Sequence, residues 1–526
     1  MQPGEPAGGA LRRPVTFAGL MALALGRYQD RTAFIHGDQT WTYRQAEDLV
    51  GRMTRVLGGR GVGPGDGTAV LSMNCPESWF FQAASLVAGC RMTPLHPLGS
   101  LDDHAFCCQD AEVSVLAYDP AHFDERAAAL KSALPDLELM ALGRSQAGPD
   151  LLALADEAPA TRVVPQPAES DIAWLTYTGG TTGRPKGVML PHRCMVQNAY
   201  LTLIDMQWPT ETRLLTCTPI SHSAGTFILP TLLRGGTVVM TESFDAGEFC
   251  RVARERRITA TLLVPSAIYR LLERPEFNRE YLPDLESVFY GASPMSPPRM
   301  VEALGRFGPV FNQLYGQAEA PNTITRLRKE DHDSARPDRL ASCGQPFVGV
   351  QVTLLDATGN HAEPGGPGEI CVRGPLVMDG YWKRPAETAE AFRDDWLHTG
   401  DVGVVDTEGY FSIVDRVKEM IISGGFNVFP REVEDVLTTH PGVAAAAVIG
   451  VPDDRWGESV TALVVARPGA RPSEDELRLL VREKKGPVYA PKSVEFIDSI
   501  PLTPVGKPDK KALRAHYWRS ADREVH

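Results

Sequence analysis

Residues 175–188 read Leu-Thr-Tyr-Thr-Gly-Gly-Thr-Thr-Gly-Arg-Pro-Lys-Gly-Val. Thr176, Thr178, Thr181 and Thr182 supply hydroxyls. Gly179, Gly180, Gly183 and Gly187 carry no Cβ, so the backbone can turn tightly and come close to a ligand. Lys186 adds a positive charge. Backbone N–H groups, hydroxyls and one ammonium together form a cradle for phosphate oxygens. The order differs from a Walker A loop, G-x-x-x-x-G-K-S/T, because the lysine follows Pro185 and precedes Gly187. A plain Gly/Thr surface loop is the structural alternative.

Around this loop, 526 residues are enough for large cores and at least two domains. Hydrophobic residues make up 43% and charged residues 23%, an ordinary globular composition. The formal net charge of −13 argues against a nucleic-acid partner. The nine cysteines are scattered, with no C-x-x-C pair, which fits a reducing cytoplasm and no zinc site. Arg12-Arg13 precedes an apolar stretch, but Phe17, Leu20, Met21 and Leu25 fall near helical spacing and predict an opening helix rather than a signal peptide. No run reaches the roughly 18 apolar residues of a membrane span. Trp79 to Cys90 reads as a buried helix.

Beta and helical periods alternate along most of the chain. Ala33–Ile35 and Thr40–Tyr43 flank a Gly37-Asp38 turn, and a helix follows from about Arg44. Thr68–Met73, Ser114–Tyr118, Gly236–Thr241, Ala260–Val264 and Ser287–Tyr290 read as short apolar strands. The expected fold is α/β, with layered, largely parallel sheets. Val350–Leu355 and Glu369–Arg373 flank a Gly/Pro-rich turn and suggest a smaller antiparallel, barrel-like piece. A boundary near Asp415–Glu419 divides residues 1–416 from an α+β domain over 417–526. In that domain a helix begins after Pro430, Val443–Val451 and Val460–Ala466 read as strands, and Glu474–Lys485 as a helix.

Thr178 to Gly187 fits every position of Ser/Thr-Ser/Gly-Gly-Ser/Thr-Thr-Gly-x-Pro-Lys-Gly, which resembles the phosphate loop of the adenylate-forming (AMP-binding) superfamily, in particular its acyl- and aryl-acid–CoA ligases. The resemblance runs from about Tyr28 almost to the end of the chain. Asn312-Gln-Leu-Tyr315-Gly316-Gln-Ala318-Glu319 resembles N-x-x-Y-G-x-T-E, which implies that Tyr315 stacks near adenine and Glu319 binds Mg²⁺, a hard cation that takes oxygen ligands. Ala318 departs from the motif, where a threonine normally hydrogen-bonds phosphate. Tyr290-Gly291-Ala292-Ser293-Pro294 resembles the adenine and pocket-wall loop.

The resemblance also implies roles further along. Trp396-Leu-His-Thr399-Gly400-Asp401 resembles the ribose motif, with Asp401 accepting the two diol hydroxyls. Asp415-Arg416-Val-Lys418 resembles the hinge motif, with Arg416 at ribose or phosphate and Lys418 at the pivot. A structural ion pair between Asp401 and Arg416 is the alternative. Pro501-Leu-Thr-Pro504-Val-Gly506-Lys507 resembles the motif whose lysine stands between a carboxylate and the α-phosphate, where a preorganised cation stabilises developing charge. Pro219-Ile-Ser-His222-Ser-Ala-Gly225 matches the segment lining the acid pocket, with His222 a candidate contact to the carboxylate.

No acidic residue stands in 219–225 to pair with an amino-acid ammonium, so a neutral-tailed carboxylic acid is expected: aryl, cinnamic-type or medium- to long-chain. Ser423-Gly424-Gly425-Phe426 resembles the turn lining a pantetheine tunnel, and Trp456 is a candidate to pack on CoA or simply in the core. The expected activity is ATP-dependent formation of an acyl-adenylate followed by transfer to CoA. The alternatives are loading of a separate carrier protein, a specialised member that activates an unusual acid or transfers the activated group to an amine, and a non-catalytic nucleotide-binding regulator. A monomer or homodimer is expected.

Overall fold

The computed structural model describes residues 15–160, 162–178, 185–356, 358–416, 419–423, 426–453, 457–502 and 508–518. The first compact unit comprises 1–340, 346–351 and 373–391. The second comprises 341–345, 352–372 and 392–526.

Two sheets form the frame of the first unit. In a nine-stranded sheet, Thr32–His36, Thr237–Met240, Arg213–Thr216, Ala260–Leu263, Ser287–Gly291 and Phe311–Gln317 run parallel in that spatial order. In a seven-stranded sheet, Ile172–Thr178, Arg91–Pro94, Gly67–Leu71, Val113–Tyr118 and Glu138–Ala141 are likewise parallel. Thr237–Met240 and Ala260–Leu263 are buried at every position, as parallel strands covered on both faces require. These elements agree with the strands read from sequence.

The helices follow from local signals. Tyr43–Gly59 begins at Thr42, whose hydroxyl accepts from the Gln45 N–H at 3.2 Å while the Gln45 side chain accepts from the Thr42 N–H at 2.8 Å. This reciprocal cap is worth about 1 kcal/mol. The helix buries Ala46, Val50, Met53 and Leu57, one stripe at helical spacing. Pro76–Val87, with proline in its first turn, is buried at every position but Glu77, as expected for the apolar run there.

The second unit holds a five-stranded sheet in which Trp396–Val405 pairs antiparallel with Gly368–Arg373, Phe392–Arg393 and Phe411–Arg416. It also holds an α+β layer in which Val443–Asp453 and Gly457–Ala466 form a long antiparallel ladder. The helix Glu474–Lys485 packs Leu477 and Val481 into that layer's core. Its first turn carries Glu474, Asp475 and Glu476 and its last Arg482, Lys484 and Lys485, charges that oppose the helix dipole at both ends.

Candidate functional site

In parallel sheets, ligands bind beyond the carboxyl ends of the strands. Gly291 ends Ser287–Gly291, so Ala292 and Ser293 lie beyond that edge. His222 lies in the segment that follows Arg213–Thr216. Thr178 ends Ile172–Thr178 on the matching edge of the other sheet. Asn74 joins the two edges: its amide donates to the carbonyls of Thr218 (3.0 Å) and Thr241 (3.2 Å) and accepts from the Ile220 N–H (2.9 Å).

Thr178 and Lys186 face each other in register across an antiparallel pair, so the two ends of the phosphate-loop sequence are held side by side. Gly187 fits closely there: an added Cβ would lie 3.1 Å from the side chains of Leu175 and Tyr177. The strand Lys186–Pro191 pairs in turn with Gly380–Tyr381, which brings Tyr381 beneath the lysine. The Lys186 Nζ lies 5.0 Å from the Tyr381 ring centroid, a cation–π distance.

The same tyrosine reaches the second motif. Its hydroxyl donates to Glu319 Oε1 at 2.8 Å, and the Met378 N–H donates to the Glu319 carbonyl at 2.8 Å. Burial and the adjacent Glu319 carboxylate push the Tyr381 phenol well above its ordinary pKa, so it remains a proton donor. Ala318 and Glu319 form the turn between Phe311–Gln317 and Ala320–Leu327. The register shifts between Tyr315 and Gln317, a bulge that re-aims the turn. Gly316 permits it: a Cβ there would sit 2.3 Å from the Asn322 N. Asn322 itself has φ +56° and donates to Thr226 Oγ1 at 2.8 Å.

Tyr315 and Asn312 are buried at 8% and 2% exposure, and the Asn312 Nδ2 has no hydrogen-bond partner among the described residues. A buried amide without an acceptor is costly unless a ligand supplies one. Gly291 lies so close to the next strand that a Cβ would meet the Leu314 carbonyl oxygen at 2.3 Å, and Ala292 has φ +68°. Backbone strain of this kind concentrates at binding sites. The His222 ring packs edge-on against His96, with centroids 4.7 Å apart, and its Nδ1 lies 2.9 Å from Ser221 Oγ.

In the second unit, Asp401 is buried at 4% exposure and pairs in register with Arg416 across two antiparallel strands. Glu369 fixes the preceding turn, accepting from the Gly400 N–H at 2.9 Å, while Thr399 Oγ1 donates to the Ile370 carbonyl at 2.7 Å. Glu369, Cys371 and His398 have metal-ligand types within reach of one another. The Arg393 guanidinium already stands among them, 3.0 Å from Glu369 and 2.7 Å from His398 Nδ1.

The proposed roles of Gly179, Gly180, Thr181, Thr182, Gly183, Lys418, Gly424, Gly425, Trp456 and Lys507 fall outside the described residues. Sequence reading missed Tyr381 and His96. Tyr381 stands in Gly380-Tyr381-Trp382, whose only local signal is an aromatic pair. His96 was hidden because its partner His222 belongs to the other sheet.

All nine cysteines are free thiols, and all but Cys75 are buried. Among the described residues no helix is long and apolar enough to cross a membrane. The sequence pattern of the family described as "AMP-binding enzyme" matches residues 22–382, and that of its "AMP-binding enzyme C-terminal domain" matches 432–507. The medium/long-chain-fatty-acid–CoA ligase FadD8 of Mycobacterium tuberculosis is 44% identical, over 100% of this chain and 94% of its own. The feruloyl-CoA synthase of an Amycolatopsis species is 39% identical, over 92% and 96% of the two chains. The solved structure of the amide bond synthetase McbA from Marinactinospora thermotolerans superposes with a TM-score of 0.88 at 34% identity, covering 95% of this chain and 100% of that one.

Proposed function

The chain belongs to the AMP-binding enzyme family, and on that premise we propose that it is an acid–CoA ligase. Its substrate is an aryl, cinnamic-type or medium- to long-chain acid. The observation that carries this reading is the convergence of Lys186 and Glu319 on one tyrosine. A phosphate-loop cation and a hard-metal carboxylate beside each other suit a nucleoside triphosphate.

In this reading, Lys186, Thr178 and the residues between them hold the triphosphate, and Asn312, Tyr315 and the Gly291–Ser293 turn hold adenine. Asp401 and Arg416 take the ribose. Glu319 fits Mg²⁺, since it offers oxygen and Tyr381 fixes its orientation. When bound, the ion screens charge on the phosphate oxygens. His222 faces the acid carboxylate. Lys507 steadies the charge that builds as a carboxylate oxygen attacks the α-phosphorus and the bond to pyrophosphate breaks.

The acyl-AMP then meets the CoA thiol. The sulfur attacks the acyl carbonyl, the carbon–oxygen bond to AMP breaks, and AMP leaves. The domain from 417 pivots at Lys418 between the half-reactions, bringing Gly424 and Gly425 to the thiol's path beside Trp456. Such domain closure is an established way of separating two steps. Buried free cysteines suit a reducing, cytoplasmic setting.

The test is pyrophosphate release from MgATP across fatty, benzoic and cinnamic acids, with and without CoA. One acid class, a rise with CoA and an acyl-CoA product are expected. Lys507→Ala should abolish acyl-AMP formation while thioester synthesis from supplied acyl-AMP persists, and the reverse result rejects the assignment. An amine acceptor is the second reading, favoured by the likeness to an amide bond synthetase; an amide product without CoA would establish it.

A further inference from the structure

His96 follows the strand Arg91–Pro94 of the seven-stranded sheet, and His222 follows Arg213–Thr216 of the nine-stranded sheet. Their rings meet edge to face where the carboxyl edges of the two sheets converge, and both are half-buried. The protonation pattern behind His96 is fixed by a chain of one-way donors. The Arg126 guanidinium, which can only donate, lies 3.1 Å from His104 Nδ1. His104 Nδ1 therefore accepts, and its Nε2–H donates to the His96 carbonyl at 2.8 Å. The Leu98 backbone N–H donates to His96 Nδ1 at 3.0 Å. The proton of neutral His96 is thereby left on Nε2, for which no hydrogen-bond acceptor stands among the described residues.

The loop is shaped to keep this order. Gly99 donates its N–H to the His96 carbonyl at 2.9 Å and accepts from Arg126 at 2.9 Å. A Cβ at Gly99 would lie 2.5 Å from His104 Nε2 and 3.1 Å from the His96 oxygen. Burial depresses the pKa of both His96 and His104 and keeps them uncharged near neutrality. Leu95 and Ser221, next in sequence to the two histidines, help line a small cavity, close in size to one water, whose other walls mix Ser72, Ser78 and Gln82 with Val70 and Ile220. A purely apolar tail gains nothing from a fixed donor.

We infer that His96 is a specificity-determining residue, whose Nε2–H donates to an oxygen on the tail of the acid, so that the enzyme selects acids bearing a hydroxyl, ether or carbonyl group over their plain counterparts. The inference rests on the acid-activating reading above. It assigns a role to a residue outside the motifs that carry that reading.

The experiment uses matched acids that differ by one oxygen: cinnamic against 4-hydroxycinnamic, and octanoic against 8-hydroxyoctanoic. For the full-length enzyme, kcat/KM for pyrophosphate release is expected to favour the oxygenated member of at least one pair by about tenfold, the worth of one well-placed hydrogen bond. His96→Phe keeps a ring but removes the donor. It should cut kcat/KM for that oxygenated acid about tenfold, through KM, and leave its plain counterpart within about twofold. Equal losses for both members, or no preference in the unsubstituted enzyme, overturn the inference. The wild-type comparison decides by itself if the variant fails to fold. Pyrophosphate release with no acid at all defeats the acid-activating reading itself, a result distinct from release without preference.

Discussion

Tyr381 donates its phenolic proton to Glu319 while its ring face lies 5.0 Å below the Lys186 ammonium. One side chain thus sets the spacing between the cation of the phosphate loop and the carboxylate assigned to magnesium. The ring and the hydroxyl perform separable tasks, and substitution can remove them one at a time.

Tyr381→Phe keeps the ring and loses the donor to Glu319. A hydrogen bond to a charged group contributes about 1.5–3 kcal/mol, less where solvent competes. The Mg²⁺ needed for half-maximal pyrophosphate release should rise several-fold, with little change in KM for ATP. Tyr381→Ala should raise both. A Mg²⁺ dependence unchanged in the phenylalanine variant would separate Glu319 from the ion.

Ala318→Thr restores a hydroxyl beside Glu319. If a phosphate oxygen lacks that donor, one neutral hydrogen bond at roughly 1 kcal/mol should raise the rate of adenylate formation about fivefold. Single-turnover pyrophosphate release measures it. A rate that stays level or falls shows that the oxygen is already satisfied.

Gly316→Ala should destabilise the protein by about 1–3 kcal/mol, because the added methyl carbon would sit 2.3 Å from the Asn322 backbone nitrogen. The urea midpoint should fall. Residual activity should show a raised Mg²⁺ requirement, since the bulge aims Glu319. Gly305→Ala, on an open helix surface with nothing within 4 Å of the new carbon, is the matched control and should not destabilise.

Two buried histidines predict acid lability. Burial depresses His192 and His332 from the ordinary 6.5 to about 4. His332 donates from Nδ1 to the Arg328 carbonyl at 2.6 Å, and its Nε2 lies 2.9 Å from the Tyr290 hydroxyl. Below pH 6.5 the unfolded chain takes up protons that the folded chain refuses until about pH 4. Stability therefore falls as pH drops through that window, by up to roughly 3 kcal/mol per histidine, and is fully present above it. Thermal midpoints from pH 7 to 4.5 should decline, and His192→Leu should flatten the slope. A flat profile in the unmodified protein contradicts both assignments.

The family resemblance, the alternating strands and the helix from about Arg44 were legible because each rests on a local pattern. Thr178 through Gly187 is one continuous stretch, and Thr42 with Gln45 sits within a single helical turn. Glu319 was legible as a residue type, but its orientation was not: that depends on the bulge at Gly316 and on Tyr381, which arrives through a strand from a distant part of the sequence. His96 was illegible because its ring meets His222 of the other sheet and its carbonyl is held by His104, which Arg126 orients; only the Leu98 N–H on Nδ1 is a local contact. Asp401 and Arg416 were read as ribose contacts or an ion pair, and their cross-strand register was not foreseen. Spacing along the chain reveals elements, whereas contacts between sheets emerge only from packing.

Thr178 and Lys186 face each other on one ladder, and the burial of the flanking strands holds that register. Sliding either strand by one residue would turn every side chain to the other face and expose Leu175, Val188 and Leu190, which are buried. The register is therefore set by the strands themselves, independently of the residues that join them. The position of Lys186 opposite Thr178 is thus anchored by buried apolar side chains of its own sheet.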